Sequence, residues 1–177
     1  MRSSLVATLV AAVFAVTGCS EIKGSAKADR PVDAPSADVD ATLSKNQRLA
    51  LAKTTGTNVV DRVIAEQQKN VRRNPAKDDV WVVLGRAWVR KARESADPGF
   101  YINADACAAV VLERNPEARL ALDLRGLVLL NGHKFDEARA LATQITTRYP
   151  EEPMAWGTLS DACLEIGRYE EAAIAAQ

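Results

Sequence analysis

Phe135-Asp136-Glu137-Ala138 recurs as Tyr169-Glu170-Glu171-Ala172, and equivalent positions stand 34 residues apart. The same offset carries Gly126 onto Ser160 and Leu130 onto Leu164. A period of this length in a helical pattern is the mark of an array of helix pairs. No pair buries its apolar face alone, and neighbours stack to make a continuous core.

Three units can be laid out on that register. The first reads Trp81, Leu84, Gly85, Trp88, Tyr101, Ala104 and Pro116. The second reads Leu122, Gly126, Leu129, Phe135, Ala138 and Pro150, and the third Trp156, Leu159, Ser160, Gly167, Tyr169 and Ala172. Gly85, Gly126, Ser160 and the second-helix alanines are small, so neighbouring helices can approach to about 8–10 Å. Trp81, Trp88, Phe135, Trp156 and Tyr169 fill the gaps between them, and large rings dominate burial energy. Pro116 and Pro150 cannot continue a helix and restrict the residue before them, so each ends a unit.

This pattern resembles the tetratricopeptide repeat family: Leu-Gly-x-x-Tyr on a first helix, aromatic-x-x-Ala on a second, then a closing proline. The resemblance covers residues 79–177. It implies an all-α fold, a right-handed α-solenoid of antiparallel helix pairs with three repeats, the third incomplete. Two departures stand out. Trp81 to Pro116 spans 35 residues against 28 from Leu122 to Pro150, and the seven extra belong near residues 94–99, where Asp97-Pro98-Gly99 is a turn signal. The second unit has Arg125 where the family prefers Leu and His133 where it prefers Gly. The third unit should close near residue 184 by the same spacing, so its second helix is expected to be short. Ala172, Ala173, Ile174 and Ala176 are expected on an apolar end face, covered by more chain, docked on by a partner or open to end-to-end self-association.

The N-terminus reads as an address. Arg2 precedes an apolar or small run, residues 5–16, broken only by Thr8. As a helix at about 1.5 Å per residue this run falls well short of a ~30 Å hydrocarbon core, so residues 1–18 are expected to be a secretory signal peptide. Val16-Thr17-Gly18-Cys19 resembles the bacterial lipobox. That resemblance implies cleavage before Cys19, lipidation of its sulfur and amino group, and a membrane anchor outside the cytoplasm. Two chains suffice for stable anchoring. Ser20 resembles the outer-membrane-sorted class of diderm bacteria, facing the periplasm. Residues 19–41, rich in Ala, Asp, Ser, Lys and Pro without apolar periodicity, read as a disordered tether. Residues 42–78 read as N-terminal helices: Leu43, Leu49, Ala50 and Ala52 in one stretch, then Val59, Val60, Val63, Ile64 and Val71 up to Asn74-Pro75. The second stretch is either half of a degenerate repeat or a cap, which repeat arrays need.

Composition narrows the chemistry. The chain has 23 basic and 23 acidic residues, and no basic stripe of the kind nucleic acid requires. His133, in a turn, is the single histidine, so a His-His metal site is excluded. Cys107 and Cys163 fall on packing positions and read as small buried hydrophobes, two units apart and too far to bridge. There is no Cys-x-x-Cys, phosphate-cradling loop or Gly-x-Ser-x-Gly. Glu151-Glu152 and Glu170-Glu171 read as solvated charge. No enzyme activity, metal or cofactor is expected.

In the family, ligands lie in the groove lined by the first helix of each unit. Carried over by position, the candidates are Val82, Arg86 and Arg90 from the first unit, with Val83 and Val89 beside them. Leu120, Asp123, Leu127 and Asn131 come from the second, and Met154, Thr158 and Asp161 from the third. The expected occupant is an extended or helical peptide with an acidic flank. The positions that grip chaperone carboxylate ends in one subclass hold Val82, Arg86, Leu124, Met154 and Thr158 here, and four of the five do not match. The resemblance thus implies a lipid-anchored envelope scaffold or assembly factor for a protein partner. The alternative is the anchored front part of a longer enzyme or signalling protein. Metabolic labelling with a fatty-acid analogue should mark the wild-type protein and not Cys19→Ser; equal labelling of both would remove the anchor.

Overall fold

Asp61 binds the N-terminal part of the fold together. It closes a capping box with Asn58 at the start of one helix and also forms a buried ion pair, at 2.9 Å, with Lys91 of the next. The computed structural model describes residues 42–177, which lie within one compact unit, Ser36–Gln177. The signal peptide, Cys19 and the tether lie outside the described residues. Among the described residues there are eight helices and no strand. They are α1 (Lys45–Ala50), α2 (Val59–Arg73), α3 (Asp78–Ser95), α4 (Phe100–Leu112), α5 (Arg119–Asn131), α6 (Phe135–Arg148), α7 (Pro153–Glu165) and α8 (Tyr169–Ala175). The fold is an α-solenoid of the tetratricopeptide type. Its hairpins are α3–α4, α5–α6 and α7–α8, and α3 packs on α5 as α5 does on α7. The first helices therefore form one continuous row.

Small residues stand where these helices meet. A Cβ added at Gly85 would lie 2.3 Å from Leu124 Cδ2 and 3.1 Å from Cys107 Cβ, so α3, α4 and α5 converge on that position. At Gly126 an added Cβ would lie 3.1 Å from Thr158 Cγ2 of α7. Ser160 is buried and donates to the Ala172 carbonyl of α8 at 3.0 Å. The core runs from Ala50 to Val128, with Trp81, Trp88, Leu84 and Leu124 almost wholly enclosed. Phe135 and Trp156 are only half-buried, and Tyr169 is 69 % exposed. The expectation that Tyr169 fills an interhelical gap is corrected here: no further helix packs over α8 among the described residues.

The turn inside each hairpin is the same device three times. Ala96 (φ 51°), His133 (φ 57°) and Gly167 (φ 78°) are left-handed. The next residue's N–H reaches five residues back: Asp97 to Ala92, Lys134 to Leu129 and Arg168 to Cys163, at 3.1, 2.9 and 2.8 Å. This is a Schellman-type end, which satisfies orphan carbonyls and favours glycine. His133 is thus a glycine position held by a side chain that stands exposed and edge-on to Phe135, with ring centres 5.5 Å apart.

The seven extra residues of the first unit lie mainly inside the helix. α3 has 18 residues against 13 in α5 and in α7, while the turn gains one. α8 is seven residues long. Ala173, Ile174 and Ala176 are exposed as expected, but Ala172 is buried, because its carbonyl faces Ser160.

The N-terminal helices do not make a repeat hairpin. α2 packs on α3, whereas α1 lies against α4. The last carbonyls of α1 and its exit are taken by side chains from three other helices: Asn103 to Leu49 at 2.7 Å, Trp88 to Ala50 at 3.0 Å and Gln68 to Ala52 at 2.8 Å. Helix ends leave such carbonyls without intrahelical partners, so these bonds fix a six-residue helix too short to persist alone. Trp88 also stacks on Phe100 at 5.7 Å, with the Lys91 ammonium 5.5 Å from that ring.

Burial pushes the Asp61 carboxyl upward, but the Lys91 ammonium and the Asn58 backbone N–H outweigh it and hold it below the usual carboxylate range. A group lowered in the folded state stabilises above its unfolded value, and that contribution is lost as pH falls through the folded value. Lys91→Met leaves the Asp61 charge buried and unpaired, at a cost of about 3–5 kcal/mol at neutral pH. Thermal melts should show that loss, its partial recovery in Lys91→Met/Asp61→Asn, and a smaller gap from wild type under acid conditions where Asp61 protonates. Wild-type stability of the single variant would contradict a structural role for the pair.

Candidate functional site

Arg86, Val89, Arg90 and Arg93 recur at helical spacing on one side of α3, and face Asp123, Leu124 and Leu127 of α5 and Met154 at the start of α7. With Glu94 they line a cleft of about 650 Å³ on the row of first helices. The seating of Leu124 against Gly85 sets its width, since Arg86 and Asp123 are the immediate chain neighbours of those two residues.

Its walls divide by chemistry. Val89 and Leu124 are buried, Leu127 is half-buried and Met154 is 53 % exposed, which gives an apolar floor with an accessible end. Arg90 is engaged by Glu94, one turn on, at 2.5 Å. Arg86 and Arg93 are exposed and have no acidic partner among the ion pairs of the described residues. Asp123 is 8 % exposed, and its buried Oδ1 has no hydrogen-bond partner. Burial, with Glu152 adding to it, pushes the Asp123 carboxyl above the usual range, against the opposing pull of Arg86 and Arg119. Glu152 is itself held by Arg119 at 3.3 Å.

Five of the ten groove residues expected from sequence, Arg86, Arg90, Asp123, Leu127 and Met154, meet in this cleft. The rest fall elsewhere. Val82 is buried in the core. Leu120 is 51 % exposed outside the cleft. Thr158 sets its methyl against Gly126 and donates to the Met154 carbonyl at 3.0 Å, which is a packing role. Asn131 and Asp161 line a neighbouring hollow at the far ends of α5 and α7, beside Leu130, His133 and Phe135. Asn131 there donates to the Leu127 carbonyl at 2.8 Å. Arg93 and Glu94 were not among the expected residues. Their signal was the seven-residue excess, which lengthens α3 until Arg93 stands two turns beyond Arg86.

No group of three or more His, Cys, Asp or Glu residues among the described residues is arranged to hold a metal ion. Cys107 and Cys163 are buried free thiols. Burial, with Asp105 adding to it, pushes the Cys107 thiol far above its ordinary value, so it does not ionise near neutrality. No helix among the described residues is long and apolar enough to cross a membrane. What the cleft offers is cationic hydrogen-bond donors beside an apolar floor. Residues 124–177 match the model of the Tetratricopeptide repeat family. No curated protein and no solved structure matches the chain.

Proposed function

We propose that this tetratricopeptide repeat protein holds a protein partner in the cleft between α3, α5 and α7. In this reading it acts at a cell-envelope membrane as a scaffold or assembly factor. Helical repeats of this family are a protein-interaction architecture. The observation that carries the reading is the pair of unpartnered guanidinium groups, Arg86 and Arg93, above the floor of Val89, Leu127 and Met154. Arginine pairs with carboxylates through a planar fork, and an apolar trough beside such forks suits a peptide of alternating acidic and apolar side chains.

The membrane side of the proposal rests on sequence. The apolar run before Val16-Thr17-Gly18-Cys19 supports export and lipidation at Cys19, and Ser20 supports an outer-membrane address facing the periplasm. The polar stretch within residues 19–41 supports a tether that lets the repeats clear the headgroups.

Crosslinking in intact membranes tests the cleft. A discrete adduct should form with the wild-type protein and be lost in Arg86→Glu/Arg93→Glu, while circular dichroism and thermal midpoint stay unchanged because both side chains are exposed. An adduct of equal yield in the folded double variant would move the interaction off this face.

A further inference from the structure

We propose that the outer side of α2 is a docking surface for a bilayer bearing anionic phospholipid headgroups, and that it holds the start of the array against the membrane. The inference deepens the membrane side of the reading above and rests on it.

Charge is divided unevenly along the fold. Residues 42–77 carry eight Lys and Arg against two acids, whereas residues 78–177 carry eleven against sixteen. Of the two acids, Asp61 is buried on Lys91 and Glu66 is engaged by Lys69 at 3.3 Å. All eight basic residues are exposed, and apart from Lys69 none has an acidic partner among the ion pairs of the described residues. Further along the array the pattern reverses: nine of the eleven cations are paired, as Arg125 is with Asp105.

α2 sets part of this charge in a row. Its buried residues, Val60, Asp61, Ile64, Gln68 and Val71, serve the contact with α3 and the exit of α1. At about 100° per residue, Arg62, Lys69 and Arg73 fall within about 40° of one another on the opposite side, with Arg72 on the flank. The row is about 16 Å long. Helix stability does not account for it. Arg72 and Arg73 in the last turn complement the helix dipole, but Arg62 stands near the positive end, where a cation is disfavoured. Arg62 donates to the Thr57 carbonyl at 2.8 Å, which leaves its charge and most of its donors to solvent.

A row of cations on a convex helix presents itself to a plane rather than enclosing a ligand, and basic clusters of this kind on a helix are drawn to anionic lipid. Position in the chain favours the same occupant. As a flexible chain, the stretch 19–41 spans about 25 Å, so an anchor at Cys19 keeps α1 and α2 close to the headgroups and makes docking intramolecular. The competing occupant is acidic protein, of which Asp33, Asp38 and Asp40 of the chain itself are the nearest source.

The test uses the full chain, purified from membranes and returned to vesicles that contain a headgroup quencher. A fluorescent amino acid is placed at Ala65, exposed on α2, or at Ala173, exposed on α8. Position 65 should be quenched on phosphatidylcholine mixed with phosphatidylglycerol and not on phosphatidylcholine alone, and position 173 on neither. Quenching should vanish at about 1 M salt, where the Debye length is about 3 Å. Arg62→Gln/Arg72→Gln/Arg73→Gln, with unchanged circular dichroism, should lower the docked-to-free ratio about a hundredfold. Lys134→Gln/Arg148→Gln should leave it within about twofold, since those side chains lie off α2. Equal quenching on both vesicles, none on either, or full quenching in the triple variant overturns the inference. Quenching that appears only in Asp33→Asn/Asp38→Asn/Asp40→Asn also overturns it, because the chain's own carboxylates then occupy the face. Flotation with phosphatidylcholine alone reports the lipid anchor separately. A protein that floats only with phosphatidylglycerol and is quenched there at position 65 keeps the docking surface and loses the anchor.

Discussion

Leu124 lies with its side chain against the bare backbone of Gly85, where a β-carbon would stand 2.3 Å from Leu124 Cδ2. That close approach is the constraint from which most of the molecule follows. It draws α5 onto α3, brings Cys107 of α4 into the same junction, and makes one core of residues far apart in sequence. Because each α-helical neighbour projects about 100° around the axis, the residues next to this contact, Arg86 and Asp123, emerge beside it on the cleft. The same geometry recurs more loosely one unit on, where Gly126 receives Thr158. Packing and cleft are therefore not separable here: the residue that allows the helices to touch also sets the width of the cleft.

The start of the array is anchored by polar contacts rather than by repeat symmetry. α1 is held through its carbonyls by Asn103, Trp88 and Gln68, and α2 through the pairing of Asp61 with Lys91. Hydrophobic contact alone is non-directional; these bonds give a short helix one position. Exposed ion pairs along the outside, such as Arg114 with Asp78 and Arg148 with Glu117, both at 2.8 Å, tie the start of a unit to its end but contribute little each. The indole N–H groups of Trp81 and Trp156 donate to the carbonyls of Pro75 and Pro150, each six residues earlier, at 2.8 and 2.7 Å. Pro75, which follows α2, and Pro150, which ends the second unit, are thus also bonded to the helices that follow.

Much of this was legible in the sequence, and what escaped has physical causes. The 34-residue offset identified the hairpins of the second and third units because it reports stacking, which every unit must satisfy alike. The stretch from Val59 to Val71 was visible from its apolar spacing, and α2 spans Val59–Arg73. The excess length of the first unit was visible, but its conversion into helix was not, since Asp97-Pro98-Gly99 marks where a turn falls and not how long the preceding helix runs. Arg93 escaped for that reason. Val82 and Thr158 could be assigned to the first helices but not to a side of them, because groove and core positions differ by a single residue step on a helix. The orphaned state of Asp123 was beyond reach, because it depends on where Arg86 and Arg119 turn. Ala96 illustrates the opposite case, a left-handed turn position with no glycine to announce it.

In the proposed function the row of first helices is the binding face, and a partner occupies the cleft of α3, α5 and α7 while the protein is in place at the membrane. The most direct measurement is site-specific photo-crosslinking in cells, with the reactive amino acid placed either at Leu127, on the cleft floor, or at Ile102, which is 60 % exposed on α4. A partner in the cleft gives a strong, discrete adduct from Leu127 and none from Ile102. An adduct from Ile102 with none from Leu127 would place the partner on the second helices and contradict it.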